Sequence, residues 1–546
     1  MISGTKSIRA FLALPLLAAL LSACGGPQSS SRPPASSTPR PPTDTPTVAV
    51  CAAPSPSPTR SAAPHPSSEP TAVQAADVPE PSACGTRDND LFRAGLVASA
   101  QDILEEMDGA TRYEIDLRVA DDLLSVDGYE VVCYTNEEEE AMEEIVFRLF
   151  PNLFGGSISI SHLNVNGLNV EPRLELADSA LWFDLEEPLF PGDSAAIELD
   201  FHLDVPAEMS GNYGLFGLHG GILALHEACP VIPVYDDEGW NVELPPAQAD
   251  VAYYDAAFYT VHVTAPSELV IVGTGVQVDH EQAGASQSVT VAAGPARGFH
   301  LTASPHYERV STRVGDTMVN SYALSGSTEG AKLALEVAAR AIEGFSARLG
   351  TYPYTEFDLA CTRLQALGME YPGMTVVTDQ VYDPEGVLHG TPNEVMMEST
   401  VAHEVAHQWF YNVVGSDQVD EPWVDEAVVQ YVTGLYYRDT YGEAGYEGVR
   451  QSWYGRWDRV DGAEISIGLP VRDYEGAEYG AIVYGRGPLF IEALAEEMGA
   501  ETFDGFLRDY YERNLWGIGT GPEFRQVAEE HCRCDLGPLF EQWVYP

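Results

Sequence analysis

Two periodicities divide the chain near residue 305. Before that point, segments 112–119, 195–203 and 258–263 alternate apolar with polar residues or gather β-branched ones, and glycine, proline and asparagine separate them. Side chains two apart share one face of a strand, so this half is expected to be mostly antiparallel sheet with one face in a core. After residue 305 the apolar spacing lengthens to that of a helix. Residues 329–349 carry it, 356–362 read as a strand, and helices are expected around 392–413, 422–438, 485–499 and 522–531. The implied fold class is α+β and multidomain: an N-terminal antiparallel β domain over 89–305, then a mainly helical domain with a small sheet over 306–546. The combined span is too long for one core and suits two.

Two helix starts are marked by their own chemistry. Thr391-Pro392-Asn393-Glu394 offers a capping hydroxyl, a proline for the first helical position and a glutamate placed to complete a capping box, so a helix is expected from about Pro392. Pro422 similarly suits the first turn of the next helix.

The first of these helices carries His403-Glu404-Val405-Ala406-His407, and the second carries Glu426 after eighteen intervening residues. Positions four apart on a helix are about 6 Å apart along the axis and about 40° apart around it, so both imidazoles can converge on one ion. Two imidazoles and a carboxylate fill three corners of a tetrahedron around zinc. The fourth corner stays open to a water whose pKa the metal lowers. Glu404 is placed to accept that water's proton as general base. One zinc per chain is expected, held by His403, His407 and Glu426. The competing reading, two histidines satisfied by nearby carbonyls, is disfavoured by a correctly spaced glutamate on its own helix.

His403 to Phe410 with Glu426 resembles the signature of the aminopeptidase N-like family of gluzincin zinc metallopeptidases. Gly368-Met369-Glu370-Tyr371-Pro372 resembles the family's Gly-x-Met-Glu-Asn motif, and Val483-Tyr484-Gly485-Arg486-Gly487 resembles the segment with its catalytic tyrosine. Cys229 to Val234 and Glu238-Gly239-Trp240 resemble its N-terminal β domain. The resemblance spans residues 90–546. It implies a thermolysin-like catalytic domain over 306–546 and a peptide substrate. Gly368 and Met369 would line the path of the substrate backbone, with Glu370 holding a free ammonium group. Tyr484 would donate a hydrogen bond to the oxyanion, with Arg486 and Asp425 as supporting groups. Tyr371 stands where the family has asparagine. Family members commonly continue into a large helical domain, whereas this sequence ends at Pro546, and a more open cleft is expected.

Residues 1–23 read as a targeting segment: Lys6 and Arg9 precede a short apolar run, and Leu21-Ser22-Ala23-Cys24 resembles a bacterial lipobox. A lipid on Cys24 would tie the protein to a membrane of the cell envelope, outside the cytoplasm; a plain secretory signal is the alternative. Residues 24–88, rich in proline, serine and threonine, cannot bury a core and read as a tether. Of eight cysteines, seven remain once Cys24 is lipidated, so at least one is unpaired. Cys532 and Cys534 beside His531 are expected to pair elsewhere in the fold rather than bind a second metal.

The formal net charge of −55, with Lys6 and Lys332 as the only lysines, disfavours nucleic acid, whose phosphates need a cationic surface. Oligomeric state is not legible. The leading expectation is an extracytoplasmic zinc aminopeptidase. Its rivals are an endopeptidase or other metallohydrolase on the same scaffold, and a catalytically silent surface-binding protein.

Overall fold

The computed structural model describes Cys84, residues 89–246, Asp250 and residues 253–545. The expected signal segment, Cys24 and nearly all of the expected tether lie outside the described residues. No helix among the described residues is long and apolar enough to cross a membrane.

The N-terminal half is built on an eight-stranded sheet in which Arg112–Val119 lies between Ser125–Thr135 and Ala257–Pro266. Alternate residues of Arg112–Val119 are buried, as its binary pattern requires. Ile115, Val126, Val132, Ile197, Leu199, Val261 and Val263 fill one core with Phe147 and Phe183 from a three-stranded sheet. The pairing is antiparallel with one exception: Arg112–Val119 runs parallel to Ala257–Pro266, with Ile115 opposite Val261. A four-stranded sheet, which includes Phe216–His219, Ile222–Leu225 and Leu301–Ser304, leads toward the second half.

From Tyr307 to Thr378 the strands belong to a different, five-stranded sheet. Glu356–Thr362 forms where the sequence placed a strand, and Gly368–Tyr371 is that sheet's edge, paired only with Met374–Thr378. Thr328–Arg348 packs on the Asn393–Ala406 helix and on strands Tyr307–Val314 and Thr317–Leu324, and its buried residues are Ala331, Ala334, Ala338 and Ala341 with Val337, Ile342 and Phe345. Sheets on one side and packed helices after them make the fold α+β.

Three expectations are corrected. The helix of the two histidines spans Asn393–Ala406 and stops well short of 413. Trp409 and Tyr411 explain why. The Trp409 indole donates to the Gly350 carbonyl at 2.9 Å, and Tyr411, with φ +101°, is anchored in the N-terminal core with its hydroxyl 3.2 Å from the Arg297 carbonyl. Those anchors pull the chain off the helical path. The capping box does not form either. Thr391 and Pro392 pair with Val387–Leu388 as a two-residue ladder, the Thr391 hydroxyl has no partner, and the Asn393 side chain instead donates to the Gln380 and Asp383 carbonyls. Finally, Cys532 pairs with Cys534 itself, and Cys84 pairs with Cys133, while Cys229 and Cys361 are free.

Arg297 ties the two halves together. Its buried guanidinium donates to the carbonyls of Tyr254 at 2.7 Å, Asn412 at 3.1 Å and Gly517 at 2.6 Å. A Cβ on Gly415 would come within 2.4 Å of that group, so glycine is required for the approach. Charged hydrogen bonds contribute about 1.5–3 kcal/mol each, and Arg297→Met is expected to lower stability by on the order of 4 kcal/mol. Urea denaturation checks this; a loss under about 1 kcal/mol contradicts the role given to Arg297.

Candidate metal centre

Two helices and the edge strand converge on a cleft. Asn393–Ala406 brings His403 and Glu404, with His407 at its C-terminal end. Glu426 does not sit in an ordinary α-turn: Trp423–Ala427 is a π-helical segment that leads into the α-helix Val428–Tyr441. Tyr484 likewise sits in a π-helical segment, Ile482–Arg486, ahead of Gly487–Met498. Such wide turns recur at functional sites because the extra residue re-aims a side chain.

The expected ligands meet. His403 Nε2 and His407 Nε2 lie 3.2 Å apart, and Glu426 Oε2 is 3.3 Å from the first and 3.7 Å from the second. Tetrahedral zinc with bonds of about 2.0–2.1 Å sets its donor atoms about 3.3 Å apart, so the three atoms already lie along the edges of such a polyhedron. Glu426 Oε2 is buried without a hydrogen-bond partner, as an atom reserved for a metal must be. The residues fit the ion.

Around these atoms the outer groups are ordered. His407 Nδ1 faces Asp425 Oδ1 at 2.8 Å and the Phe410 carbonyl at 3.3 Å, the carboxylate backing that orients a metal-binding imidazole. Gln418 links Asp425 to Glu370, donating at 2.8 Å and 3.2 Å. Gln430 lies 3.2 Å from His403 Nδ1 and is held by Arg456, which also donates to the Tyr484 carbonyl. The Tyr484 hydroxyl donates to Glu426 Oε1 at 2.6 Å, which puts the phenol beside the ligands.

Charge in the site is heavily negative. Against burial, which lowers it, the carboxylates of Glu370, Asp425 and Glu426 hold the His407 imidazole well above its usual range. Against burial, which raises it, His407, His403 and the Tyr484 hydroxyl bring Glu426 down to about 2. Burial and then Glu370 push Glu404 well up, and burial pushes Glu370 to about 7. A dication at the three donor atoms relieves the crowding of these carboxylates.

Glu404 is 5 % exposed, lines the cleft, and has its Oε2 buried without a partner. It stands apart from the three converging atoms, as a base rather than a ligand would. Glu370 and Met369 line the same cleft, with Tyr484, His403 and Glu426. Gly368 turns out to serve Glu404: a Cβ there would come within 2.3 Å of Glu404 Oε1. Gly368→Ala is therefore expected to displace the carboxylate and lower kcat about tenfold to a hundredfold, with unchanged metal content. Steady-state kinetics with metal analysis reads both; full activity in that variant contradicts the contact.

Of the two supporting groups, Asp425 is in the site and Arg486 is not. Arg486 donates to the carbonyls of Ile465, Gln542 and Trp543 and so fastens the C-terminal segment. Sequence reasoning missed Gln418, Gln430, Arg456 and Asp250. Gln430 had a signal, four residues after Glu426 and therefore on the same helical face. Gln418 lies within the stretch between His407 and Glu426 but has no periodic relation to either, and Arg456 and Asp250 come from segments outside the motif.

Residues 333–543 match the model of the Peptidase family M1 domain. Aminopeptidase M1-B of Oryza sativa subsp. japonica is 25 % identical over 304 residues, 53 % of this chain and 34 % of the relative. Aminopeptidase N of Lactobacillus helveticus is 22 % identical over 231 residues, 39 % of this chain and 26 % of the relative. The chain thus spans about a third of the length of the curated relatives it matches. Among solved structures, the M1 zinc metallopeptidase of Deinococcus radiodurans shares the fold, with a TM-score of 0.58 at 19 % identity, covering 84 % of this chain and 95 % of that one.

Proposed function

We propose that this chain, whose residues 333–543 carry a peptidase family M1 domain, is a zinc-dependent aminopeptidase that removes N-terminal residues from peptides. The observation that carries the reading is the meeting of His403 Nε2, His407 Nε2 and Glu426 Oε2 at 3.2–3.7 Å, in one cleft with Glu404 and Glu370. When bound there, zinc supplies Lewis acidity, polarising the scissile carbonyl and lowering the pKa of a water.

The residues of the chain do the rest. Gly368–Tyr371, free of a strand partner on its cleft side, offers backbone groups with which an extended peptide can pair. Glu370 accepts hydrogen bonds from the substrate's free ammonium group, and so places the first peptide bond at the ligands. A carboxyl that burial has raised to about 7 is drawn back to the ionised form by that ammonium. Glu404 takes a proton from the attacking water and passes it to the departing nitrogen. The Tyr484 hydroxyl, now on Glu426 Oε1, transfers its hydrogen bond to the oxyanion as the tetrahedral state forms.

Tyr371, where the family has asparagine, does not enter this scheme. Its ring stacks on His300 at 3.9 Å between centroids and its hydroxyl lies 2.9 Å from His226 Nδ1, so it turns away from the ammonium position and leaves Glu370 to act. That orientation favours the aminopeptidase reading over the endopeptidase one.

A peptide and its N-acetylated form, compared on the zinc-loaded protein, test the proposal. Cleavage of the free form at least about a hundredfold faster is expected, since acetylation removes the charge that Glu370 binds. Equal rates overturn amine recognition and leave an endopeptidase.

We further propose an extracytoplasmic location with a lipid on Cys24. Two disulfides among the described residues support an oxidising compartment. Fractionation of cells that express the full chain tests it: Cys24→Ala should move the protein from membrane to soluble fractions, and an unchanged distribution contradicts the anchor.

A further inference from the structure

Gln418 lies in the stretch between the two segments that carry the metal ligands, and the backbone around it is fixed from several directions. Gly415 N donates to the Gly517 carbonyl at 2.9 Å, and Val471 N donates to the Val419 carbonyl at 2.8 Å. Asp417 Oδ1 accepts from the Val419 and Asp420 amides, at 2.8 Å each. The Gln418 side chain, 3 % exposed, therefore starts from a set position.

Its amide nitrogen meets two carboxyl groups at once, donating to Asp425 Oδ2 at 2.8 Å and to Glu370 Oε1 at 3.2 Å. The reverse amide orientation would turn a carbonyl oxygen toward two acceptors, so the nitrogen must face them. These two acids serve different tasks. Asp425 Oδ1 lies 2.8 Å from His407 Nδ1; with Oδ2 on Gln418, both of its oxygens are placed, and with them the plane that aims the imidazole. Glu370 belongs to the edge strand Gly368–Tyr371 and lines the cleft.

The donor between these acids is suited to its place by being neutral. Ligand atoms of Glu370, His407 and Asp425 come within 4.8 Å of one another, which sets the two acids side by side. A lysine or arginine there would neutralise Glu370 and repel a substrate's ammonium group, and a hydroxyl has one hydrogen for two acceptors. A primary amide has two N–H groups in one plane, one for each acid, and leaves the charge of Glu370 to the substrate.

We propose that Gln418 is a positioning residue that couples amine recognition to metal binding: through one nitrogen it sets both the direction in which Glu370 presents its other oxygen to the substrate's ammonium and the plane in which Asp425 holds His407. The inference rests on the aminopeptidase reading, which gives the ammonium to Glu370. Gln418 touches neither the attacking water nor the scissile bond. Its loss is therefore read at two separate points, amine discrimination and zinc retention.

Gln418→Met keeps the length of the side chain and removes both N–H groups. The zinc-loaded variant is assayed on a peptide and on its N-acetylated form, and its zinc is timed on transfer to a chelator. KM for the free peptide should rise at least about tenfold with kcat within about threefold, while kcat/KM for the acetylated peptide changes less than about twofold. Zinc should leave at least about fivefold faster, since partners behind a ligand contribute about 10–100-fold to metal affinity. An equal fall for both peptides overturns the inference, because loosened packing alone produces that result. So does zinc release at the unaltered rate. Should the variant not fold, Gln418→Asn, which draws the amide back by one methylene, decides: a free-to-acetylated ratio lowered at least about threefold supports the coupling, and an unchanged ratio overturns it. Failure of the aminopeptidase reading shows in the unaltered protein, as equal cleavage of the two peptides, and takes this inference with it.

Discussion

Glu404→Gln lowers kcat by about a thousandfold while zinc content stays at its wild-type value. General acid–base catalysis by a placed carboxylate contributes about 10²–10⁴, and the amide that replaces it cannot take a proton from water. One feature of the site separates this role from that of a ligand: the three atoms at tetrahedral spacing belong to His403, His407 and Glu426, and Glu404 is not among them. The glutamine is nearly the same shape, so the cleft keeps its form, and KM should move little because the proposed scheme assigns substrate binding to Glu370 and the edge strand. The variant is assayed for turnover and for metal by elemental analysis on the same preparation. A protein that has lost its zinc would show that a ligand had been mistaken for the base.

His407→Ala takes the opposite course. Zinc content falls from about one per chain to under about 0.1 after dialysis, and activity falls with it, because two remaining donors do not hold a catalytic ion. A second cost follows from Asp425. With its partner gone, a carboxylate that lay 2.8 Å from His407 Nδ1 is left buried, which lowers stability by about 1–3 kcal/mol. Added zinc should raise the melting temperature of the wild type and leave that of the variant unchanged. Wild-type zinc content in His407→Ala would contradict the coordination set.

What the sequence made legible and what it hid follow from the range of the forces involved. The spacing His403, His407, Glu426 is local on two helices, and helical geometry alone brings the imidazoles together. Strand 356–362 and the helix at 329–349 were legible for the same reason, since apolar periodicity is a local record of a buried face. The end of the first helix was not. It depends on where the Trp409 and Tyr411 side chains find their anchors, Gly350 and the N-terminal core, and both lie far away in the chain. The π-turns that aim Glu426 and Tyr484 were equally hidden, because one extra residue in a turn leaves no signature in composition. Gly368 was read as room for a substrate backbone, yet its nearest constraint is the Glu404 carboxylate on another element. The parallel pairing of Arg112–Val119 with Ala257–Pro266 joins strands more than a hundred residues apart, beyond any pattern in the sequence. Cys532 and Cys534, one residue apart, were set against remote partners, but the left-handed turn at Arg533 brings them to each other.

The coordination set underlies every step above, and anomalous diffraction at the zinc absorption edge tests it most directly. Crystals of the zinc-loaded protein should show one strong peak per chain, about 2.0–2.2 Å from His403 Nε2, His407 Nε2 and a Glu426 oxygen, with Glu404 outside bonding distance. A peak among Glu370, His407 and Asp425 instead, the other such trio of donors among the described residues, would contradict the account, as would no peak at all.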